Sequence, residues 1–386
     1  MEIPTPEKLK TLAAQPHWKL QSDCVELAVT RIGGQMAPVT FRLGGRTIAP
    51  YSISPWDGEK MAGAIPPMLK ALRGDFFCAP FGGNQKIWRG ESHPPHGDCA
   101  NRPWSLESVR QEGKCHDLHL SMRMKSRPGC LDKVLRLKDG ETNIYSRQRF
   151  SEMSGPMNFG HHAMLKFPDK EASGLVSTSK ILFGQVAPSP FEFPENGGYQ
   201  SLRCGARFSH LGRVPLAAGG FADLSRYPAR KGYEDLVMLV HESRPDFAWT
   251  AVSFPEQRYV WFSLKDPRVL RSSIFWISNG GRHYPPWNGR HTSVLGLEDV
   301  TSYFHYGLAE SVRPNPVSRQ GFPTCVQLTP AAPLVVNYIM GVAAIPKGFG
   351  LVRSILPLLG EIQITDVGGR KVKTPVDTSF LQLSEL

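Results

Sequence analysis

Three short stretches concentrate side chains able to move protons or hold polar ligands. The first is His93-Pro94-Pro95-His96-Gly97-Asp98, with Asn101 and Arg102 just behind it. The second is Asn158-Phe159-Gly160-His161-His162, which runs into the apolar Ala163-Met164-Leu165. The third is Gly296-Leu297-Glu298-Asp299, downstream of the Gly- and Pro-rich segment from Asn279 to Trp287. Imidazole exchanges protons near neutral pH. A carboxylate among apolar neighbours, as Glu298 is after Val294-Leu295-Gly296-Leu297, is either half of an ion pair or a base of raised pKa. His161 and His162 are adjacent in a strand, so they face opposite sides, and one of them serves equally well as a core or edge residue. His93 and His96 read as solvated loop residues or as ligands. Together with His161 and His162 they are zinc-ligand types, but His-x-x-His in a loop is weakly specific and no H-E-x-x-H helix accompanies it.

The elements that must position these groups read mainly as strands. Val25, Leu27 and Val29 alternate with Glu26, Ala28 and Thr30, the period of a strand. A second strand runs from Met36 to Leu43 and turns at Gly44-Gly45. Leu118, Leu120, Met122 and Met124 alternate with polar residues, and Val134–Lys138, Asp139-Gly140 and Asn143–Phe150 spell a hairpin. One apolar and one polar face are expected of such an antiparallel sheet. Further strands are predicted at Leu236–His241, Trp249–Phe254, Arg258–Leu264, Ser273–Ser278, Ser302–Leu308, Leu334–Met340 and Glu361–Asp366. Two helices are expected. Thr5-Pro6-Glu7 can cap and start one, with Leu9 and Leu12 on one face, giving a helical N-terminal extension over residues 1–20. Pro66-Pro67 to Gly74 suggests the other. The stretch from Gly74 to Trp104 holds turn formers and titratable groups with little core, a loop costly to order.

Composition narrows the class. The chain has 386 residues, with 37 glycines and 33 prolines. That excess of turn formers favours many short strands over long helices. The net charge of +11 is spread in single Lys and Arg residues without a basic block, which gives no footprint for nucleic acid. Seven cysteines, odd in number and without a CxxC pair, argue against a disulfide framework or a cysteine-based zinc site. No apolar run is long enough to span a bilayer, and the first twenty residues lack a secretory signal's apolar centre. A cytoplasmic protein is expected. No G-x-G-x-x-G, G-x-x-x-x-G-K-[ST] or G-x-S-x-G occurs, which sets aside Rossmann, P-loop and α/β-hydrolase architectures.

His96-Gly97-Asp98-Cys99-Ala100-Asn101-Arg102-Pro103-Trp104 resembles the His-Gly loop, ending in Asn-x-x-Trp, of the galactose mutarotase-like superfamily, in particular its glucose-6-phosphate 1-epimerase-like branch. His162 looks like that family's second histidine, and Leu295-Gly296-Leu297-Glu298 like the strand that carries its glutamate. The resemblance extends over roughly residues 20–380 and implies a large twisted antiparallel β-sandwich with a few short helices, forming one domain over 21–386. It implies an aldose 1-epimerase-like isomerase, with Glu298 as base, His162 as acid and His96 holding the ring oxygen or a neighbouring hydroxyl. Asn84, Arg89, Asn101, Arg102, Asp246 and Trp287 are the implied substrate contacts, with Trp88, Trp104 and Trp276 as further stacking surfaces. Neither cofactor nor metal is implied, and the partner is a sugar, with no nucleic acid or membrane, in a monomer or dimer. The sequence departs from the family at several places, and two of them bear on the site. His161 stands where Asn precedes the catalytic histidine, and Ala100 stands where the phosphate-sugar branch has Arg. Two other readings remain: a non-catalytic carbohydrate-binding protein on the same fold, and an isomerase or lyase acting on another carbohydrate.

Overall fold

A computed structural model describes residues 10–61 and 65–383. Two large antiparallel sheets dominate, one of nine strands and one of eight among the described residues. Tyr259–Lys265, Leu334–Ala344 and Asn143–Ser151 lie at the centre of the first. Tyr233–His241, Ser272–Asn279 and Val294–Thr301 lie side by side in the second. The pleat sends successive side chains to opposite faces. Val237 and Leu239 join the core between the sheets with Phe275, Leu297, Tyr338 and Met340. Leu236, Met238 and Val240 point the other way, into a second cluster with Ile274, Trp276 and the loop residues Trp56, Phe76, Phe81 and Trp287.

Smaller sheets complete the layers. A five-stranded sheet spans Lys10 to Ile48 and contributes Val25, Leu27, Val39 and Phe41 to the main core. A three-stranded sheet from Val352 to Pro375 covers the outer face of the nine-stranded sheet, where Ile355, Ile362 and Ile364 pack on Val260, Phe262 and Leu264. With both faces covered, Tyr259–Lys265, Ser272–Asn279 and Val294–Thr301 are buried at every position. Cys115–Arg123 keeps the expected alternation, with Leu118, Leu120 and Met122 buried and Arg123 exposed. The α-helices among the described residues are single turns: Pro67–Lys70, Asp98–Asn101 and Leu308–Val312. The protein is an all-β antiparallel sandwich.

Two local expectations are corrected. The helical extension over residues 1–20 falls partly on residues 1–9, which lie outside the described residues. From residue 10 onward the chain is a hairpin of Lys10–Leu12 and Gln15–Gln21. Ala13 and Ala14 take φ of 45° and 56° to make its turn, and Trp18 and Leu20 bury at two-residue spacing. Sheet pairing here outweighs a local helix signal. The strand expected over Ser302–Leu308 is instead an irregular turn leading into the helix at Leu308. Phe304 at φ 47° and Gly307 at φ 108° cannot continue an extended run.

Candidate active site

The site is set by one strand register. Gly160 pairs with Val300 and Ala163 with Leu297 across two antiparallel strands, so the register places His162 directly opposite Glu298 and His161 opposite Asp299. Cross-strand neighbours on one face lie close enough for their side chains to meet. On one face His162 Nε2 is 3.2 Å from Glu298 Oε1. On the other, His161 Nδ1 lies 2.9 Å from Asp75 Oδ2 and its ring stacks on Tyr338 at 4.2 Å. Tyr338 in turn donates its hydroxyl to Asp299 Oδ2 at 2.7 Å, and Lys265 Nζ donates to Asp299 Oδ1. The two adjacent histidines thus belong to different layers, and the four histidines considered as zinc ligands do not converge.

His96 reaches the same cavity from a loop. Its φ is 60°, and Gly97 follows at φ 77°. A Cβ on Gly97 would lie 1.9 Å from the Ala79 carbonyl oxygen, so only glycine fits this close approach. The backbone N–H of Gly82 donates to His96 Nδ1 at 3.4 Å. The His96 ring meets His162 edge-on, with centroids 5.0 Å apart. Phe76 stacks on His162 at 4.6 Å and Phe81 meets His96 at 5.1 Å. The aromatic packing restricts both imidazoles to defined orientations.

Asn84 and Asn101 brace this loop. Asn84 Nδ2 donates to the carbonyls of Pro80, Gly82 and Pro94, each at 3.1 Å, and its Oδ1 accepts from Leu308 N–H. Asn101 Nδ2 donates to Pro95 O at 2.6 Å and Gly97 O at 2.8 Å. With these bonds made, both act as scaffold and neither lines the cavity. Asp98 fixes the loop from behind by accepting from the backbone N–H groups of Lys125 and Ser126.

The cavity measures about 250 Å³ and brings together His96, His162, Glu298, Trp276, Trp287 and Arg282, with His305 and Phe191 at its side. Arg282 Nε donates to Glu192 Oε1 at 2.5 Å and lies 4.0 Å from Glu234 Oε2. Its guanidinium sits 4.5 Å from the Trp287 ring centre and 4.9 Å from that of Phe191, distances suited to cation–π attraction. Glu234 is tied down by Trp276 Nε1 at 2.9 Å and Ser278 Oγ at 3.0 Å.

Burial sets the protonation states. It lowers the His162 pKa to about 3 and that of His305 to about 4. Burial also holds His96 well below the imidazole range, with the nearby His162 and His305 adding to the effect. The same burial raises Glu298 well above the usual carboxylate range, against the opposing pull of Arg282. Burial likewise raises Glu234 to about 7. Burial disfavours the Arg282 charge too, but Glu234 and Glu192 outweigh it and keep the guanidinium charged. In the open cavity burial thus favours a neutral imidazole at His162 and a protonated carboxyl at Glu298, so that the two groups carry one transferable proton.

The remaining expected contacts divide by geometry. Trp287 and Trp276 form cavity wall. Arg89 is exposed and lies over Trp88 at 5.3 Å, outside the cavity. Arg102 and Asp246 also fall outside its lining; Asp246 sits on an outer turn, where its carbonyl accepts from Gln382. Trp104 is buried in the main core and donates to Cys99 O. His93 pairs with Glu91 at 2.9 Å, and Glu91 also pairs with Arg127 at 2.6 Å, so it braces the loop rather than floating in solvent. Arg282, His305 and Phe191 line the cavity without having been singled out from sequence. Arg282 lies in the Gly- and Pro-rich segment from Asn279 to Trp287, and His305 lies in the stretch expected to be a strand but folded as a turn.

The structure superposes on solved structures of the galactose mutarotase-like fold. A galactose mutarotase-like protein from Clostridium acetobutylicum aligns with a TM-score of 0.55 and 10% identity, over 88% of this chain and 98% of that one. A galactose mutarotase related enzyme from Lactobacillus acidophilus aligns with a TM-score of 0.54 and 9% identity, over 86% and 99%. An aldose epimerase homologue from Caenorhabditis elegans aligns with a TM-score of 0.52 and 11% identity, over 86% and 100%. No family model matches the chain, and no curated protein matches it.

Proposed function

From the galactose mutarotase-like fold and the site it carries, we propose that this protein interconverts the α and β anomers of an aldose by general acid/base ring opening. Opening a pyranose removes a proton from the anomeric hydroxyl and delivers one to the ring oxygen. Closure on the other face of the carbonyl yields the other anomer, and the protons return. The reaction has no net proton change, which suits a pair holding one transferable proton.

Glu298 takes the base role and His162 the acid role. An anomeric hydroxyl that donates to Glu298 stabilises its carboxylate form, in the same sense as Arg282. The shared proton then rides on His162 toward the ring oxygen. His96, neutral and fixed edge-on to His162, hydrogen-bonds the ring oxygen or the hydroxyl beside it and steadies the charge that develops there. Trp276 and Trp287 offer aromatic faces for the sugar's C–H surface.

The observation that carries this reading is the His162–Glu298 contact of 3.2 Å in a cavity that His96 also lines. The test is anomer exchange followed by NMR across a panel of aldoses. Exchange accelerated above the buffer rate supports the reading, and no acceleration for any member rejects it. A second reading, binding without catalysis, draws on the burial of Glu298, which favours a protonated carboxyl 3.2 Å from His162 in the open cavity. It predicts saturable sugar binding that survives loss of His162 and Glu298. All seven cysteines are free thiols, which fits the proposed cytoplasmic location.

A further inference from the structure

We infer that the cavity selects an uncharged aldose bearing a deoxy carbon or another apolar substituent, an inference that rests on the sugar-binding reading above. Two independent features of the lining lead to it.

The first is a wall without hydrogen-bonding capacity. Pro66, Met68, Leu69 and Leu72 line the cavity from one short segment, and Leu236 adds to them from a strand. The backbone of that segment is already satisfied elsewhere. Met68 N–H donates to Asn101 Oδ1 at 3.3 Å, and Met68 O accepts from Gln35 Nε2 at 2.9 Å. Leu69 N–H donates to Pro66 O at 3.0 Å, and Leu69 O accepts from Trp56 Nε1 at 2.8 Å. A hydroxyl pressed on this surface gives up water and finds no replacement partner. A methyl or methylene group in the same place loses nothing and gains contact.

The second is charge. Among the described residues that line the cavity, Arg282 is the only permanent cation. Glu192 already occupies its Nε, and Glu234 lies 4.0 Å away. A phosphate brought to Arg282 meets these carboxylates at short range, and like charges oppose its binding. Ala100, which stands where the phosphate-sugar branch that the sequence resembles has Arg, is fully buried in the cluster behind the cavity and supplies no cation.

The test is titration calorimetry on the full chain with D-glucose and D-galactose, their 2-deoxy and 6-deoxy forms, and their 6-phosphates. At least one deoxy form is expected to bind tenfold or more tightly than its parent, and the 6-phosphates more weakly than either. Parents that bind as tightly as every deoxy form, or tighter binding of a phosphate, overturn the inference while leaving the sugar reading intact. Absence of binding by every member removes both. A Leu69→Asn variant checks the wall directly. Leu69 is only partly buried, and in the variant, with its fold confirmed by circular dichroism, the deoxy preference should shrink at least threefold. An unchanged preference rejects the wall as its source.

Discussion

His162 and Glu298 face each other across paired antiparallel strands, with the imidazole Nε2 3.2 Å from the carboxyl Oε1. The partnership depends on register. A slip of the histidine strand by one residue would turn His162 into the core and bring His161 to the cavity, away from Asp299 in the buried layer. Those two are committed to Asp75, Tyr338 and Lys265 in the buried layer, which pins the register from behind.

Replacing Glu298 by Gln keeps the shape and removes the base. We expect the anomer-exchange rate to fall at least about a hundredfold, the low end for loss of a general base. NMR exchange rates with saturating sugar check this, with circular dichroism to confirm the fold. Near-normal exchange would reject the proposed role of Glu298.

Removing the cavity's cation should destabilise the fold. Arg282→Met leaves Glu192 and Glu234 buried without their partner, and breaking a buried pair costs roughly 3–5 kcal/mol. Adding Glu192→Gln should recover part of the loss, because one orphaned charge is then gone. Urea unfolding of the single and double variants measures both effects; a double variant no more stable than Arg282→Met contradicts the charge argument.

Stability should fall as pH is lowered below about 6.5, the ordinary histidine value. His162 and His291 are held at about 3 and His305 at about 4 in the folded chain, chiefly by burial. Their unfolded forms bind protons that the folded forms refuse, so stability rises with pH across that window. Glu234, raised to about 7 by burial, acts in the opposite sense. It contributes stability below the ordinary carboxylate range that is lost as pH rises through about 7. Glu234→Gln should therefore steepen the rise in stability with pH between about 4.5 and 7. Thermal melts over pH 4–8 provide the measurement, and an unchanged profile in the variant counts against this assignment.

Two glycines with similar φ angles should respond differently to alanine. Gly97 and Gly90 have φ of 77° and 86°. Alanine at Gly90 meets open space and should cost roughly 1 kcal/mol for the left-handed backbone alone. Alanine at Gly97 collides with the Ala79 carbonyl at 1.9 Å, which must displace the His96 loop. Gly97→Ala should lose both stability and exchange activity, while Gly90→Ala keeps its activity. Equal effects would mean that close approach at Gly97 does not hold His96 in place.

Much of the frame was legible in the residues. Alternation at Val25–Val29 and Leu118–Met122 and turn signals at Gly44-Gly45 and Asp139-Gly140 mark strands and hairpins that the structure contains. The N-terminal hairpin and the turn at Phe304 escaped because pairing partners and positive φ angles, not local propensity, decide them. His96, His162 and Glu298 stood out because titratable groups beside glycines and apolar runs are uncommon. Arg89, Arg102 and Asp246 were equally plausible by type, and distance from the cavity alone separates them.

The sequence by itself determined the strand-rich class and a short set of groups fit for proton transfer, because side-chain period and residue type are local properties. The tertiary structure alone decided which of two adjacent histidines meets the carboxylate, that Arg282 is neutralised by Glu192, and that the 66–72 segment presents an apolar wall. Each of these depends on the register and packing of segments remote in the chain, and burial, not composition, then sets the charge each group carries.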